Sequence, residues 1–174
     1  MQYPYHLNPN DGFMIYMNGR NQAAVTFGGS VYLAHALLSL ATISLLSDAV
    51  NLSTTEFLQL WTSTILAFVF GFFLLLAGLL IGSDSDLRQI AGGIVGFLSA
   101  IIGAVNAVVL LNNVEGIGSS TNLVNTIGSS AQLQLFFLLL IPATFVALFV
   151  GFPIGMVGSF QNVKEKGDEN FEQQ

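Results

Sequence analysis

The chain has 174 residues and a formal net charge of −6, with four basic and ten acidic side chains and no cysteine. Apolar residues make up 53% of it and charged residues only 8%, against roughly 25% charged residues in an ordinary soluble domain. This composition excludes a water-soluble globular fold, and the acidic balance argues against nucleic-acid binding. The absence of cysteine excludes disulfides and thiolate metal sites. We therefore interpret the chain as an integral membrane protein.

Four uncharged stretches of the chain are each long enough to cross a membrane. About 20 apolar residues span the hydrocarbon core of a bilayer as a helix, and a helix satisfies the backbone polar groups that lipid cannot. The predicted spans are residues 23–46, 57–81, 89–111 and 133–157. The sequence thus predicts an all-α fold, an integral membrane bundle of four transmembrane helices.

The positions of the basic residues predict the orientation of the bundle. They lie before the first span, between the second and third spans, and after the fourth, at Arg20, Arg88, Lys164 and Lys166. Because basic residues favour the cytoplasmic side, both termini are predicted to be cytoplasmic, in a multi-pass protein of the cell membrane. The predicted regions are a cytoplasmic or interfacial arm at 1–22, a transmembrane domain at 23–158 and a charged cytoplasmic tail at 159–174.

The first span carries a stripe of small and polar residues along one helical face. Its members follow one another at intervals of three or four residues, which brings them onto one side of a helix. The stripe consists of Gly28, Tyr32, His35, Ser39 and Thr42. We expect this face to point into the bundle or towards a partner, because the opposite face is apolar enough for lipid.

His35 is the one ionisable residue near the middle of a predicted span. An intramembrane ionisable residue suggests a functional role by default, here a proton relay, a ligand contact or a haem ligand. Because no carboxylate in the spans could pair with it, we predict instead a neutral histidine that is hydrogen-bonded to a hydroxyl or amide group of another helix. His6, the second histidine, lies in the N-terminal arm and cannot face His35 across a haem, so we predict no cofactor.

The third span has the clearest packing surface of the four. Small residues recur along it and let helix backbones approach closely, which drives helix association in lipid. This surface consists of Gly92, Gly96, Ala100, Gly103 and Ala104, with Asn106 beside it. We predict that the third span is the most buried helix and that Asn106 bonds to His35 or Ser39. A glycine-lined path for a solute is the alternative interpretation.

Two further features concern the connection before the fourth span and the span itself. Residues 112–132 are uncharged apart from Glu115 and are predicted to form a plain surface loop, with a short amphipathic segment as the alternative. The fourth span contains Pro142 and Pro153, and proline removes a backbone hydrogen bond and kinks a helix. The Gly-Phe-Pro-Ile-Gly stretch around Pro153 is therefore predicted to bend or break the helix.

The sequence contains no nucleophile–base pair, carboxylate pair or metal cluster, so we predict that the chain is not itself an enzyme, although it could belong to an enzyme complex. Its spans hold no charge, and its small-residue faces outnumber what four helices need for one another. These features predict a non-catalytic accessory subunit of a membrane assembly, such as a respiratory or oxidase complex or a membrane lattice. Its partners would be the lipid bilayer and other membrane subunits or copies of itself. The alternative is a homo-oligomeric channel or carrier for a small neutral solute.

Overall fold

The computed structural model describes residues 9–49, 52–120 and 130–172, and side-chain surroundings within 19–48, 52–114 and 130–168. Within these ranges the chain is almost entirely helical. The helices are α1 (Pro9–Ala49), α2 (Thr54–Ile81), α3 (Asp86–Ser120), α4 (Ala131–Val146) and α5 (Phe152–Glu172), and one π-helical turn (Ala147–Gly151) joins α4 to α5. Residues 112–120, which were predicted to belong to a surface loop at 112–132, instead continue α3. Residues 121–129 of that predicted loop lie outside the described part.

Four stretches are long and apolar enough to cross a membrane: Gly19–Asp48, Thr54–Ile81, Asp86–Val114 and Ala131–Asp168. The predicted all-helical class with four membrane-length helices is confirmed. The helices extend past the predicted spans, since α1 begins at Pro9 and α5 continues to Glu172. At 1.5 Å per residue, α1 is about 60 Å long, twice the thickness of the hydrocarbon core of about 30 Å. Helix therefore continues into the segments predicted as arm and tail.

Serine side chains cap the starts of two helices. The Ser53 hydroxyl accepts a hydrogen bond from the Glu56 backbone N–H at 3.3 Å, and the Glu56 carboxylate accepts one from the Ser53 backbone N–H at 2.9 Å. This reciprocal pair is a capping box, which satisfies backbone donors that the first turn leaves free. Ser130 accepts a bond from the Leu133 N–H in the same way at the start of α4.

The helices form a ring of four, with the α4–α5 helix as the fourth member. α2 packs between α1 and α3, and the α4–α5 helix closes the ring, with α4 mainly against α1 and α5 against both α1 and α3. α1 and α3 therefore lie across the ring from each other. We call the end that holds Gly19, the 82–85 connection and the second half of α5 the terminal end. The other end, with Ser53 and Ser130, is the opposite end.

The first span is the most buried one, which corrects the prediction for the third. Within an apolar stretch of 18 residues in each helix, 44% of the residues are buried in α1 and 39% in α3. The physical reason is that α1 contacts α2, α4 and α5 along its length, whereas α3 exposes one apolar side. Large apolar side chains are likewise exposed on all four spans, among them Leu37, Leu79, Leu98, Leu138 and Phe149. Such exposed apolar surface on every helix suits contact with lipid.

The fourth span contains a π-helical turn and is not broken. The Phe152 backbone N–H donates to Ala147 O, five residues back, immediately before Pro153. Proline has no N–H and its ring crowds the preceding turn, and a wider π turn is one way in which helices absorb such a disruption. Pro142 lies inside α4 without ending it. The predicted break is thus a local widening in a helix that continues.

Candidate functional site

The hydroxyl groups of the α1 stripe are satisfied within their own helix. Ser39 Oγ donates to His35 O at 2.9 Å, and Thr42 Oγ1 donates to Leu38 O at 2.8 Å. In such a bond the hydroxyl donates its single hydrogen to the backbone carbonyl four residues earlier in the same helix. Ser39 and Thr42 are therefore buried without donating a hydrogen bond to another helix.

Two other members of the stripe set the distances between helices. A Cβ atom on Gly28 would lie 2.8 Å from Gly151 O and 3.1 Å from Gly155 Cα, so the missing side chain lets α1 touch the backbone of the α4–α5 helix. Tyr32 reaches across the ring to α3, where a Cβ atom on Gly103 would lie 2.9 Å from Tyr32 Cε1. The Tyr32 side chain thus fills the centre of the bundle.

His35 forms a hydrogen bond from α1 to α4. Its Nε2 atom lies 2.9 Å from Thr144 Oγ1, and both residues are buried. Thr144 Oγ1 donates its own hydrogen to Leu140 O at 2.8 Å, so it accepts from the histidine. His35 therefore carries its hydrogen on Nε2, and Nδ1 is a buried acceptor without a hydrogen-bond partner among the described residues.

The chemistry around His35 is that of a neutral hydrogen bond at membrane depth. In the part of the chain that the structure describes, no group of three His, Cys, Asp or Glu residues could hold a metal ion. An imidazolium would need a counter-charge there to offset the cost of a charge in hydrocarbon. The Thr144 hydroxyl supplies a hydrogen-bond acceptor instead, so the arrangement favours the neutral ring.

We expect His35→Gln to keep most of the free energy of unfolding of the bundle, because a glutamine amide can still donate to Thr144. His35→Leu should lower that free energy by about 1 kcal/mol, because a leucine cannot donate. Thermal unfolding in detergent micelles measures both changes. Thr144→Ser, which retains the acceptor, is the matched control. Equal losses for His35→Gln and His35→Leu would show that a glutamine amide does not replace the imidazole in this hydrogen bond. Loss of a flux or an electron-transfer activity in a His35→Gln protein that still assembles would instead support the proton-relay or cofactor interpretation.

The small residues of α3 contact three different helices of the same chain. A Cβ atom on Gly92 would lie 2.8 Å from both Ala77 O and Leu80 Cβ of α2. Gly96 faces the Ser159 hydroxyl of α5, and Gly103 faces Tyr32 as described above. Farther along the same surface, Ala100 is fully buried and Ala104 is half-buried.

Glycine surfaces therefore do not indicate a partner helix, contrary to the prediction that small-residue faces outnumber what four helices need. Among the glycines whose surroundings are described, only Gly19 and Gly167 have open space where a side chain would be. The physical reason is that every helix of the ring packs against two neighbours, so each helix needs small residues on two of its faces.

The prediction for Asn106 is wrong. Its Nδ2 atom donates to Ser63 O of α2 at 2.7 Å, and not to His35 or Ser39. The order of helices around the ring explains this, because α1 and α3 are on opposite sides and Asn106 faces α2. Asn113, two turns later, approaches Ser63 Oγ at 3.5 Å.

Asn106 belongs to a groove between α2 and α3 that opens on the outer surface of the ring. This α2–α3 groove encloses about 630 Å³, and half of the residues that line it are polar but uncharged. The polar ones are Thr55, Gln59, Thr62, Ser63, Asn106 and Asn113. Sequence reasoning missed its α2 side, although the helical spacing of positions 55, 59, 62 and 63 was a signal that could have revealed it.

A second group of polar side chains is buried at the terminal end. Asn21 Nδ2 donates to Glu165 Oε2 at 3.0 Å, Gln89 Nε2 to Ser83 O at 2.6 Å, and Asn162 Nδ2 to Gln89 O at 2.7 Å. Carboxylate and backbone carbonyl oxygens only accept hydrogen bonds, so these contacts decide which way each amide points. The three amide oxygens are consequently left buried without a protein partner in the described part.

These amide oxygens can accept hydrogen bonds from water or another donor at the terminal end of the bundle. Sequence reasoning missed them because each lies within a few residues of a charged one, as Asn21 follows Arg20 and Gln89 follows Arg88. In a single sequence such positions look like solvated helix ends. The structure buries Asn21 and Asn162 because α1 and α5 continue past the predicted span limits, and it buries Gln89 in the first turn of α3.

Four membrane-length helices in a closed ring, with lipid-type surface outside and neutral polar groups inside, define a multi-pass membrane protein. No protein-family model matches the chain, and no curated protein or solved structure is significantly similar to it.

Proposed function

We propose that the chain is a non-catalytic integral membrane subunit of a larger assembly, such as a respiratory or oxidase complex or a membrane lattice. A transmembrane helix of another subunit would fill the α2–α3 groove. The observation that carries this proposal is the neutral polar lining of that groove at membrane depth. The partner helix would bring small residues and neutral hydrogen-bonding groups, because the groove lining holds no charge.

Depth supports a protein partner for the α2–α3 groove. Thr62 is eight residues into the 28-residue helix α2, or about 12 Å along its axis, which lies about 6 Å inside a centred hydrocarbon core of about 30 Å. Thr62 and Gln59 are exposed. Lipid tails offer an amide or hydroxyl no hydrogen-bond partner, whereas a neighbouring helix can.

A solute path through one copy of the chain is not supported, because Tyr32 fills the centre of the ring against Gly103. The second candidate is a homo-oligomeric channel or carrier for a small neutral solute, whose path would run between copies. The same uncharged lining of the α2–α3 groove favours this candidate over an ion channel.

Native mass measurement of the protein, extracted from its own membrane in mild detergent, separates the two candidates. A different membrane protein in fixed ratio supports the subunit, and a pure homo-oligomer that conducts solute in liposomes supports the channel or carrier. A stable monomer would contradict both. Thr62→Trp, which fills the α2–α3 groove, should abolish the association. Leu79→Trp is the control, since Leu79 is 68% exposed on the same helix and does not line the groove.

We also propose that the membrane is the cell membrane and that the terminal end is cytoplasmic. The basic residues at that end support this orientation. A membrane-impermeant thiol reagent applied to intact cells should then label Thr54→Cys and spare Ser85→Cys. Both positions are exposed and lie at opposite ends of the ring, and the chain has no other cysteine. Labelling of Ser85→Cys alone would reverse the orientation.

A further inference from the structure

A second groove runs along the outer surface of the ring between α1 and α5, on the side away from the α2–α3 groove. This α1–α5 groove encloses about 310 Å³. Its walls are apolar, with Ala24 on α1 and Ile154 and Val157 on α5, and its polar end holds Arg20, Asn21 and Gln161. It therefore combines an apolar channel with one cationic group.

Among the described residues, Arg20 is the one charged side chain that lines the α1–α5 groove. Its Nη2 atom donates to Gln161 Oε1 at 3.2 Å, which holds the guanidinium at the end of the groove. Among the described residues no carboxylate lies within ion-pair distance of Arg20. A guanidinium has five N–H donors, and most of those of Arg20 remain for a ligand.

The nearest acidic side chain on α5 is directed to another residue. Glu165 lies one helical turn beyond Gln161 and accepts a hydrogen bond from Asn21 Nδ2 at 3.0 Å. Glu165 does not line the α1–α5 groove. The described lining of the groove therefore includes one cationic side chain and no anionic one, and the Glu165 carboxylate is held by Asn21 beside the polar end.

The order of polar and apolar groups along the groove matches the membrane. Arg20 is the last charged residue before the 27 uncharged residues that lead to Asp48, which places it near the edge of the hydrocarbon core. From Gln161 to Ile154 is seven residues, or about 10 Å along α5 towards the membrane centre. A molecule that fits has an anionic head at the interface and an apolar chain that enters the bilayer.

We propose that the α1–α5 groove binds an anionic phospholipid from the leaflet at the terminal end of the bundle. Arg20 contacts the lipid phosphate, since a guanidinium matches phosphate oxygens in geometry and charge. Gln161 positions the guanidinium, and an acyl chain lies along Ala24, Ile154 and Val157. This site is separate from the α2–α3 groove and does not depend on the function proposed for it.

The test is native mass spectrometry of the purified full-length chain in detergent, titrated with phosphatidylglycerol or phosphatidylcholine of equal chain length. We expect phosphatidylglycerol to bind about five-fold more tightly, the effect of one basic residue near an anionic headgroup. Arg20→Gln should remove this preference, and Arg20→Lys should retain part of it. Val157→Trp, which occupies the apolar wall, should weaken binding of both lipids.

Arg88→Gln is the matched control, because Arg88 is an exposed arginine at the same end that does not line the groove. It should leave the lipid preference unchanged. Equal affinity of the unmodified protein for the two lipids would overturn the proposal. Equal loss of the preference for phosphatidylglycerol in Arg20→Gln and Arg88→Gln would also overturn it. Inorganic phosphate competing as well as the lipid would also overturn it, because the apolar walls would then contribute nothing. If Arg20→Gln fails to fold, Arg20→Lys and Val157→Trp decide the outcome.

Discussion

Gly92→Leu is expected to prevent the stable packing of α2 against α3. A Cβ atom at this position would lie 2.8 Å from Ala77 O and 2.9 Å from Ile81 N. These are backbone atoms inside a helix, which cannot move aside as a flexible side chain can. We expect the free energy of unfolding to fall by more than about 4 kcal/mol, the range reached by severe overpacking and backbone clashes. Unfolding in mixed micelles, or the yield of monodisperse protein, measures it.

Ala91→Leu is the matched control for this substitution. Ala91 is the preceding residue of α3 and is exposed, so the same leucine would face lipid and should be tolerated. Gly96→Leu should lie between the two, because Gly96 faces the Ser159 side chain, which can rotate away. Comparable stability of Gly92→Leu and Ala91→Leu would mean that α2 and α3 do not approach closely at Gly92.

Tyr32→Ala is expected to cost about 3 kcal/mol, because it empties the centre of the ring. Tyr32 is only 1% exposed and lies against Gly103 across the bundle. Tyr32→Phe should be as stable as the natural protein or more so. Its Oη atom is buried without a hydrogen-bond partner in the described part, and removing an unsatisfied buried polar group carries no penalty.

Thermal and denaturant unfolding of both Tyr32 variants in the same detergent provides the comparison. Destabilisation of Tyr32→Phe to the level of Tyr32→Ala would show that the hydroxyl is engaged, by a bound molecule or by a residue outside the described ranges. A result near the natural protein for Tyr32→Ala would mean that the ring centre collapses around the missing side chain, and that Tyr32 does not hold α1 and α3 apart.

The two outer grooves divide the surface of the ring into parts with different chemistry. Neutral polar residues form half of the lining of the α2–α3 groove, whereas the α1–α5 groove has apolar walls and one cation at its end. A partner helix can therefore occupy the α2–α3 groove while a lipid occupies the α1–α5 groove. Thr62→Trp and Val157→Trp would therefore affect association and lipid binding separately, so failure of one proposal leaves the other in place.

The number and approximate positions of the helices followed from the sequence alone. Hydropathy and the absence of charge are properties of each segment by itself, and only a helix of about 20 residues satisfies its backbone across a bilayer. The 3.6-residue period likewise indicated that His35 and its neighbours on the stripe share a face. The helix ends did not follow, because polar residues such as Asn21 and Asn162 become buried where helices continue beyond the lipid.

Only the tertiary structure decided which helices are neighbours, and hence the partner of each polar group. Periodicity shows that Asn106 and His35 point away from lipid, but it contains no information on the order of helices around the ring. That order pairs His35 with Thr144 and Asn106 with Ser63. It also places α1, not α3, in the most buried position. Contacts between residues far apart in the chain depend on the packing of whole helices, which no single segment encodes.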